Sequence, residues 1–270
     1  MPEFSIAPDL EMHYVVDDFT DPWRESGTVL LIHGNNESSA AWYGWVPHLA
    51  RHYRVVRPDM RGFGDSTPVP RDFPWTLDVV IDDYVRLMDA LGAQRFHLVG
   101  AKIGGVIARA FAARRPDRVR TLTVVGSPPP VRADADTRAK RVKEVEEHGI
   151  EYWARHSMAT RMGTAFPQEA VEWWIKFMGR TAVSTEAGFA DTINFSDITP
   201  EISKIKCPML VIAGGESAFV SVEQTRGWQQ QVPHSELVVV PGDSFHVAAT
   251  APDHCAKATL EFIARNDNAR

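Results

Sequence analysis

The chain has 270 residues, of which 44% are hydrophobic and 24% charged, and its formal net charge is −6 at neutral pH. That length and balance suit one large α/β domain, or one domain carrying an insertion, with a core of ordinary size. They exclude a basic nucleic-acid footprint, and no apolar run reaches the roughly 18 to 20 residues that a membrane-spanning helix needs.

The first ten residues carry acids and prolines instead of a basic stretch followed by an apolar one, so no signal peptide is read and cytoplasmic residence is expected. Glu11 to Val16 then alternates like an exposed edge strand, whereas Thr28 to His33 (TVLLIH) is continuously apolar, as a strand covered on both faces is. Further runs of the second kind are Tyr53 to Arg57, Phe96 to Val99, Val119 to Val125, Pro208 to Ala213 and Leu237 to Val240. Helical stretches separate them: Trp42 to Arg51, Leu77 to Leu91, Ile103 to Arg114, Ser221 to Gln231 and Pro252 to Arg265. Alternation of this kind implies parallel crossover units, and hence an α/β fold whose mostly parallel sheet has helices on both faces.

The alternation stops after Val125. A Ser-Pro-Pro-Pro stretch breaks any helix there, and residues 128–199 hold helix formers, charge and aromatics without a strand-like run. They predict a helical cap inserted into a core formed by residues 1–127 and 200–270, with amphipathic helices at Val142 to Arg155 and Gln168 to Gly179. Trp153, Trp173, Trp174, Phe177 and Phe189 mostly pack this segment, and some of its aromatics line a pocket. The cysteines, Cys207 and Cys255, form no disulfide framework and no C-x-x-C pair, so both are expected to be reduced packing residues.

The strongest local signal is Leu98 to Ile107 (LVGAKIGGVI), an apolar strand running through Gly100 and Lys102 into a helix opened by Gly104 and Gly105. Strand, sharp turn and helix are the setting of a nucleophile elbow, with Lys at its centre. His33-Gly34-Asn35 follows the first central strand, Arg57 to Ser66 (RPDMRGFGDS) the next, and Pro241 to Pro252 (PGDSFHVAATAP) lies between the last strand and last helix. With these motifs in this order, the chain from Thr28 to Arg265 resembles the α/β-hydrolase superfamily, especially its capped members. Those include haloalkane dehalogenases, epoxide hydrolases, C–C bond hydrolases and lactonases.

The resemblance implies that Lys102 stands where the family carries Ser, Cys or Asp, that His246 is the catalytic histidine, and that backbone N–H groups of Asn35 and Ile103 form an oxyanion hole. Where the family places its acid, this chain reads Gly214-Gly215-Glu216-Ser217, which puts Ser217 in the acid slot, so the candidate carboxylate is Glu216, one residue earlier and turned toward His246, and the alternative is a histidine with no carboxylate partner. His33, Trp153, Trp174 and Phe245 are expected to line the substrate pocket. Asp59, Asp65 and Asp243 are expected to hold loops. Dehalogenation is disfavoured because it requires an Asp nucleophile.

A lysine at a helix N-terminus beneath an aromatic cap meets two effects that disfavour its charge, the helix dipole and desolvation, and a nearby carboxylate such as Glu216 would oppose them. Three functions stay open. One is hydrolysis of an ester, lactone or C–C bond, with His246 as base and Lys102 polarising the carbonyl. Another is Schiff-base chemistry through Lys102, as a retro-aldolase, decarboxylase or cyclase. The last is a ligand-binding protein with an inactive site, or a lysine introduced to trap a ligand or silence a hydrolase. No metal, nicotinamide, flavin or pyridoxal cofactor is expected, because the only Gly-rich strand-to-helix turn is the elbow and no metal-spaced cluster is seen. The expected partner is a small molecule; a homodimer is left open.

Overall fold

The computed structural model describes residues 3–130 and 135–267; residues 1–2, 131–134 and 268–270, which fall in the expected core and inserted segments, lie outside the described residues. An eight-stranded sheet runs in the order β1-β2-β4-β3-β5-β6-β7-β8. Its strands are β1 (Glu3–Ala7), β2 (Leu10–Asp17), β3 (Thr28–Ile32), β4 (Arg54–Pro58), β5 (Phe96–Ala101), β6 (Val119–Val125), β7 (Met209–Gly214) and β8 (Ser235–Val240). Pairings β1·β2 and β2·β4 are antiparallel, and every other pairing is parallel. The helices are α1 (Val46–Leu49), α2 (Leu77–Ala90), α3 (Ile103–Arg114), α4 (Ala135–His148), α5 (Ile150–Met162), α6 (Gln168–Met178), α7 (Val183–Asp191), α8 (Val222–Gln229), α9 (Val247–Thr250) and α10 (Pro252–Asp267).

Three of the continuous apolar runs have the cause that the sequence suggests, since all residues of β3, β5 and β7 are buried between helices on both faces, whereas the run at Leu237 to Val240 belongs to the outer strand β8, in which only Val240 is buried. Alternate residues of β3 go to opposite cores. Leu30 and Ile32 join Leu98, Ile107 and Phe111 on one face, while Val29 and Leu31 join Trp42, Val99, Phe262 and Ile263 on the other. Helices α4 to α7 all lie between β6 and β7 and hold a cluster of their own, in which Trp153, Met158, Trp174 and Phe177 pack together and reach Ala249 of α9.

Three local expectations need correction. Strand β1 was not anticipated, being a five-residue antiparallel edge, so β2, which holds Glu11 to Val16 and was expected at the edge, lies one strand inside it, paired with β1 and β4. The helix expected over Trp42 to Arg51 is a 3-10 turn, Ser39–Trp42, followed by the short α1, the two being separated by the stretch that contains Gly44. The helix expected over Val142 to Arg155 is two helices, α4 and α5, divided at Gly149, whose φ of 82° lies in a region that ends a right-handed helix.

Candidate active site

The turn between β5 and α3 places Lys102. Its φ of 55° and ψ of −119° lie outside the ordinary regions for a residue with a Cβ. The surrounding bonds over-determine that conformation: the Lys102 N–H donates to Val125 O at 3.0 Å, and its carbonyl accepts from Gly105 N at 3.0 Å and Ser127 Oγ at 2.8 Å. The flanking glycines are required by close approach. A Cβ on Gly100 would run into the backbone of Gly104, and one on Gly104 into the carbonyls of Ile32 and His33. Only with β5 and α3 this close does the Lys102 side chain rise over the sheet's C-terminal edge, where open α/β folds bind ligands.

Three loops and the inserted helices meet at that side chain. From the loop after β3, the Glu37 carboxylate contacts Lys102 Nζ and accepts from Gly34 N at 2.8 Å. From the loop after β8, His246 presents Nδ1 3.4 Å from Nζ. Helix α6 lays the Trp174 ring under the ammonium, 5.4 Å from Nζ to the centroid, and the same ring meets the His246 imidazole edge-on. The Arg161 carbonyl at the end of α5 accepts from the Phe245 and His246 N–H groups, which ties the inserted segment to the histidine loop. Lys102, Glu37 and His246 are 9%, 3% and 3% exposed, so their charges act on one another with little help from water.

That environment shifts the protonation equilibria. Burial, and then the Arg161 guanidinium, push Lys102 well below its usual value, while the touching Glu37 carboxylate acts the other way. His246 is pushed well below its usual value by burial, then by Lys102 and Arg161, so its neutral ring accepts a hydrogen bond from Lys102 at Nδ1. Because the unfolded histidine binds a proton that the folded one refuses, stability falls as pH drops below about 6.5. Replacing His246 by Gln is expected to remove up to about 1.4 kcal/mol per pH unit of that slope, read from denaturation midpoints between pH 7 and 5. An unchanged slope would mean that the histidine is protonated in the folded protein.

Not every expected residue comes to this place. Glu216 is exposed, its N–H donates to Gly242 O, and no ion pair or hydrogen bond joins it to His246 among the described residues, so it is not the histidine's carboxylate. The carboxylate that the structure does bring to this place is Glu37, and its contact is with the lysine. A carboxylate two residues beyond Asn35, in a loop facing an elbow lysine, was the available signal. His33 is fully buried with both ring nitrogens occupied, Nδ1 donating to Gly34 O and Nε2 accepting from Met60 N, which leaves nothing for a substrate. Asn35, Ile103, Trp153 and Phe245 do line one cavity with Lys102 and His246, and Trp174 lines an adjoining one with Glu37.

Two of the acids expected to hold loops, Asp59 and Asp243, do so through their carboxylates. Asp59 accepts from His13 Nδ1 and the N–H groups of Ser39 and Asp65, and Asp243 accepts from Thr164 N. His13, Asp59 and Asp65 bring one ligand atom each within 4.8 Å of one another, a grouping the sequence reading missed. None of the three lines the cavities around Lys102, and Asp59 is already engaged by three donors. Cys207 and Cys255 are free thiols, each pushed up to about 12 by burial, which makes them inert. No helix of the described residues is long and apolar enough to cross a membrane.

Comparison with known proteins places this geometry in a family. The model of the α/β hydrolase fold matches residues 27–250. Among similar proteins, the 2-hydroxymuconate semialdehyde hydrolase of Pseudomonas sp. (strain CF600) is 43% identical over 127 residues, 45% of this chain and 44% of that protein. The (E)-2-((N-methylformamido)methylene)succinate hydrolase of Acinetobacter baylyi is 25% identical over 248 residues, covering 88% of this chain and 91% of that one. Among solved structures, the enol-lactonase from Burkholderia xenovorans LB400 superposes with a TM-score of 0.88 at 23% identity, over 97% of this chain and all of that one, a likeness of fold. The elbow, the eight-stranded sheet and a family match over most of the length agree: this chain belongs to the α/β-hydrolase fold family.

Proposed function

We propose that this chain is an enzyme acting on a small carbonyl compound, in which the Lys102 amine attacks the carbonyl and Glu37 carries its proton. The observation behind this reading is the contact of the Glu37 carboxylate with Lys102 Nζ at the elbow, both side chains being buried. An ammonium cannot attack until it loses a proton. In a dry site the ion pair and the neutral amine–acid pair are close in energy, since burying two charges costs several kcal/mol per ion before their attraction offsets it. Glu37 is therefore a ready acceptor, and its acid form can return the proton to a departing hydroxyl. With a ketone or aldehyde the product is a Schiff base, an electron sink for changing a neighbouring C–C bond. An ester would instead leave an amide that hydrolyses poorly. Residues 128–199 act as a cap that keeps the amine dry, and the chemistry requires no cofactor.

A second reading is hydrolysis, with His246 activating a water and the Asn35 and Ile103 N–H groups receiving the oxyanion. Relatives named as hydrolases over nearly the whole chain favour it. Against it stand the lack of a carboxylate partner for His246 among the described residues and the buried, cation-flanked position of His246, which disfavours the imidazolium a base must become. Treating the full chain with small ketones and aldehydes under borohydride, then measuring intact mass, separates the readings. The expected result is one adduct per chain, on the peptide bearing Lys102. Turnover without any adduct would establish the hydrolytic reading instead, and neither result would leave a ligand-binding protein.

A further inference from the structure

Two buried side-chain amide atoms of residues that line the Lys102 cavity have no hydrogen-bond partner among the described residues. Asn35 Nδ2 donates to Glu186 Oε1 at 3.1 Å, which fixes the orientation of the amide and leaves Oδ1 buried and unbonded. Asn194, 2% exposed in the 3-10 turn Ile193–Phe195, has its Nδ2 buried and unbonded. Both residues line the cavity that Lys102, Ile103 and His246 also line. Buried polar atoms are nearly always paired, so a vacant acceptor and a vacant donor beside a reactive amine point to a ligand group that meets both.

A carboxylate would satisfy Asn194 alone, and an ammonium Asn35 alone. A hydroxyl does both, donating to Asn35 Oδ1 and accepting from Asn194 Nδ2. The nearby Arg141 is no vacant anion site, since Glu186 Oε1 lies 2.6 Å from its Nη2 and its guanidinium covers the Trp153 ring. We propose that the substrate is a β-hydroxy ketone or aldehyde, held by its hydroxyl between Asn35 and Asn194 with its carbonyl at Lys102, and cleaved in the retro-aldol direction. This assignment rests on the amine reading above.

The chemistry selects the β position. Lys102 adds to the carbonyl, Glu37 supplies the proton with which water departs, and an iminium forms. The β-hydroxyl then gives its proton to the Glu37 carboxylate, which has just given its own to the departing water, its oxygen forms the C=O of the departing aldehyde, and the electron pair of the Cα–Cβ bond enters the iminium to give an enamine. Glu37 returns the proton to Cα. Water adds to the resulting iminium and releases the second carbonyl product and the amine, and Glu37 regains its proton. The sum is one β-hydroxy carbonyl compound converted to two carbonyl compounds, with no redox partner. An α-hydroxyl has no such bond to break.

The probes are 4-hydroxy-2-butanone and 2-butanone, which differ in the hydroxyl. On the wild-type chain, borohydride trapping at Lys102 is expected to reach half-saturation at a concentration at least tenfold lower for the hydroxy ketone, with formaldehyde and acetone released when borohydride is omitted. In Asn194→Leu that ratio is expected to fall toward one. Trapping of both ketones with equal half-saturation, or an unchanged ratio in the variant, overturns the hydroxyl site, as does occupation of the Asn35–Asn194 gap in a ligand-soaked crystal by a water only. Saturation-transfer NMR of the two ketones needs no covalent step and separates the two ideas. A hydroxyl preference there without trapping overturns the cleavage and the amine reading but keeps the hydroxyl site, whereas trapping without the preference overturns the hydroxyl site alone.

Discussion

Lys102→Met is expected to abolish the borohydride adduct and to lower turnover by about 10⁴-fold or more, the scale on which removing a catalytic nucleophile acts. Methionine keeps the length and the apolar stem and removes only the amine. Lys102→Ser is expected not to rescue the activity, although it recreates the residue type most common at such an elbow. A serine there needs a base oriented by an acid, and His246 has no carboxylate partner among the described residues. Adduct mass on the Lys102 peptide and steady-state rates for the three proteins check this. Full turnover in the Met variant, or a serine variant that gains ester hydrolysis, would show that the lysine occupies a silenced hydrolase site.

The second large effect is on stability, because Lys102 and Glu37 are buried together. Lys102→Met leaves a carboxylate that is 3% exposed without its counter-ion, a change that costs about 3–5 kcal/mol when a buried pair is broken from one side. Glu37→Gln removes the opposing charge instead. Its Lys102 then feels only the effects that lower it, burial and Arg161, so the unfolded chain holds a proton that the folded chain rejects. Stability of Glu37→Gln is therefore expected to rise with pH from the lowered folded value up to about 10.5. The double variant Glu37→Gln/Lys102→Met carries no unpaired charge and is expected to be more stable than the sum of the single losses by at least about 2 kcal/mol. Chemical denaturation of the four proteins at pH 7 and 9 measures both effects, and strictly additive losses would mean that the two side chains do not share a charge.

Much of this architecture was legible because it is written in local terms. A strand covered on both faces must be apolar throughout, so β3, β5 and β7 declared themselves, and the parallel sheet followed from their alternation with helices. The elbow was equally plain. Glycines at 100, 104 and 105 are needed wherever a strand and helix approach so closely, and they mark Lys102 whatever its role. His246 followed from its place between the last strand and the last helix. Gly149 shows the limit of periodicity, since one apolar pattern ran across a residue whose φ divides it into two helices.

The identity of the lysine's partner was of another kind. Glu37 meets Lys102 because β3 and β5 are neighbours in parallel register, Leu30 opposite Leu98, which brings the loops after them side by side. The sequence offers one hint, a carboxylate two residues beyond Asn35, but not the adjacency itself, and the candidate acid read from the family spacing was Glu216, one residue before the acid slot and exposed in the fold. The same holds for His33, whose neighbours suggested a substrate and whose ring is used by Gly34 and Met60, and for Asn194, which reaches the cavity only through the folding of the segment between β6 and β7. The sequence by itself determined the sheet, the elbow and which residue stands on it, because those depend on burial and backbone sterics over a few consecutive residues. The tertiary structure alone decided what surrounds that residue, because charge pairing and hydrogen bonding act through space between segments that chain order keeps tens of residues apart.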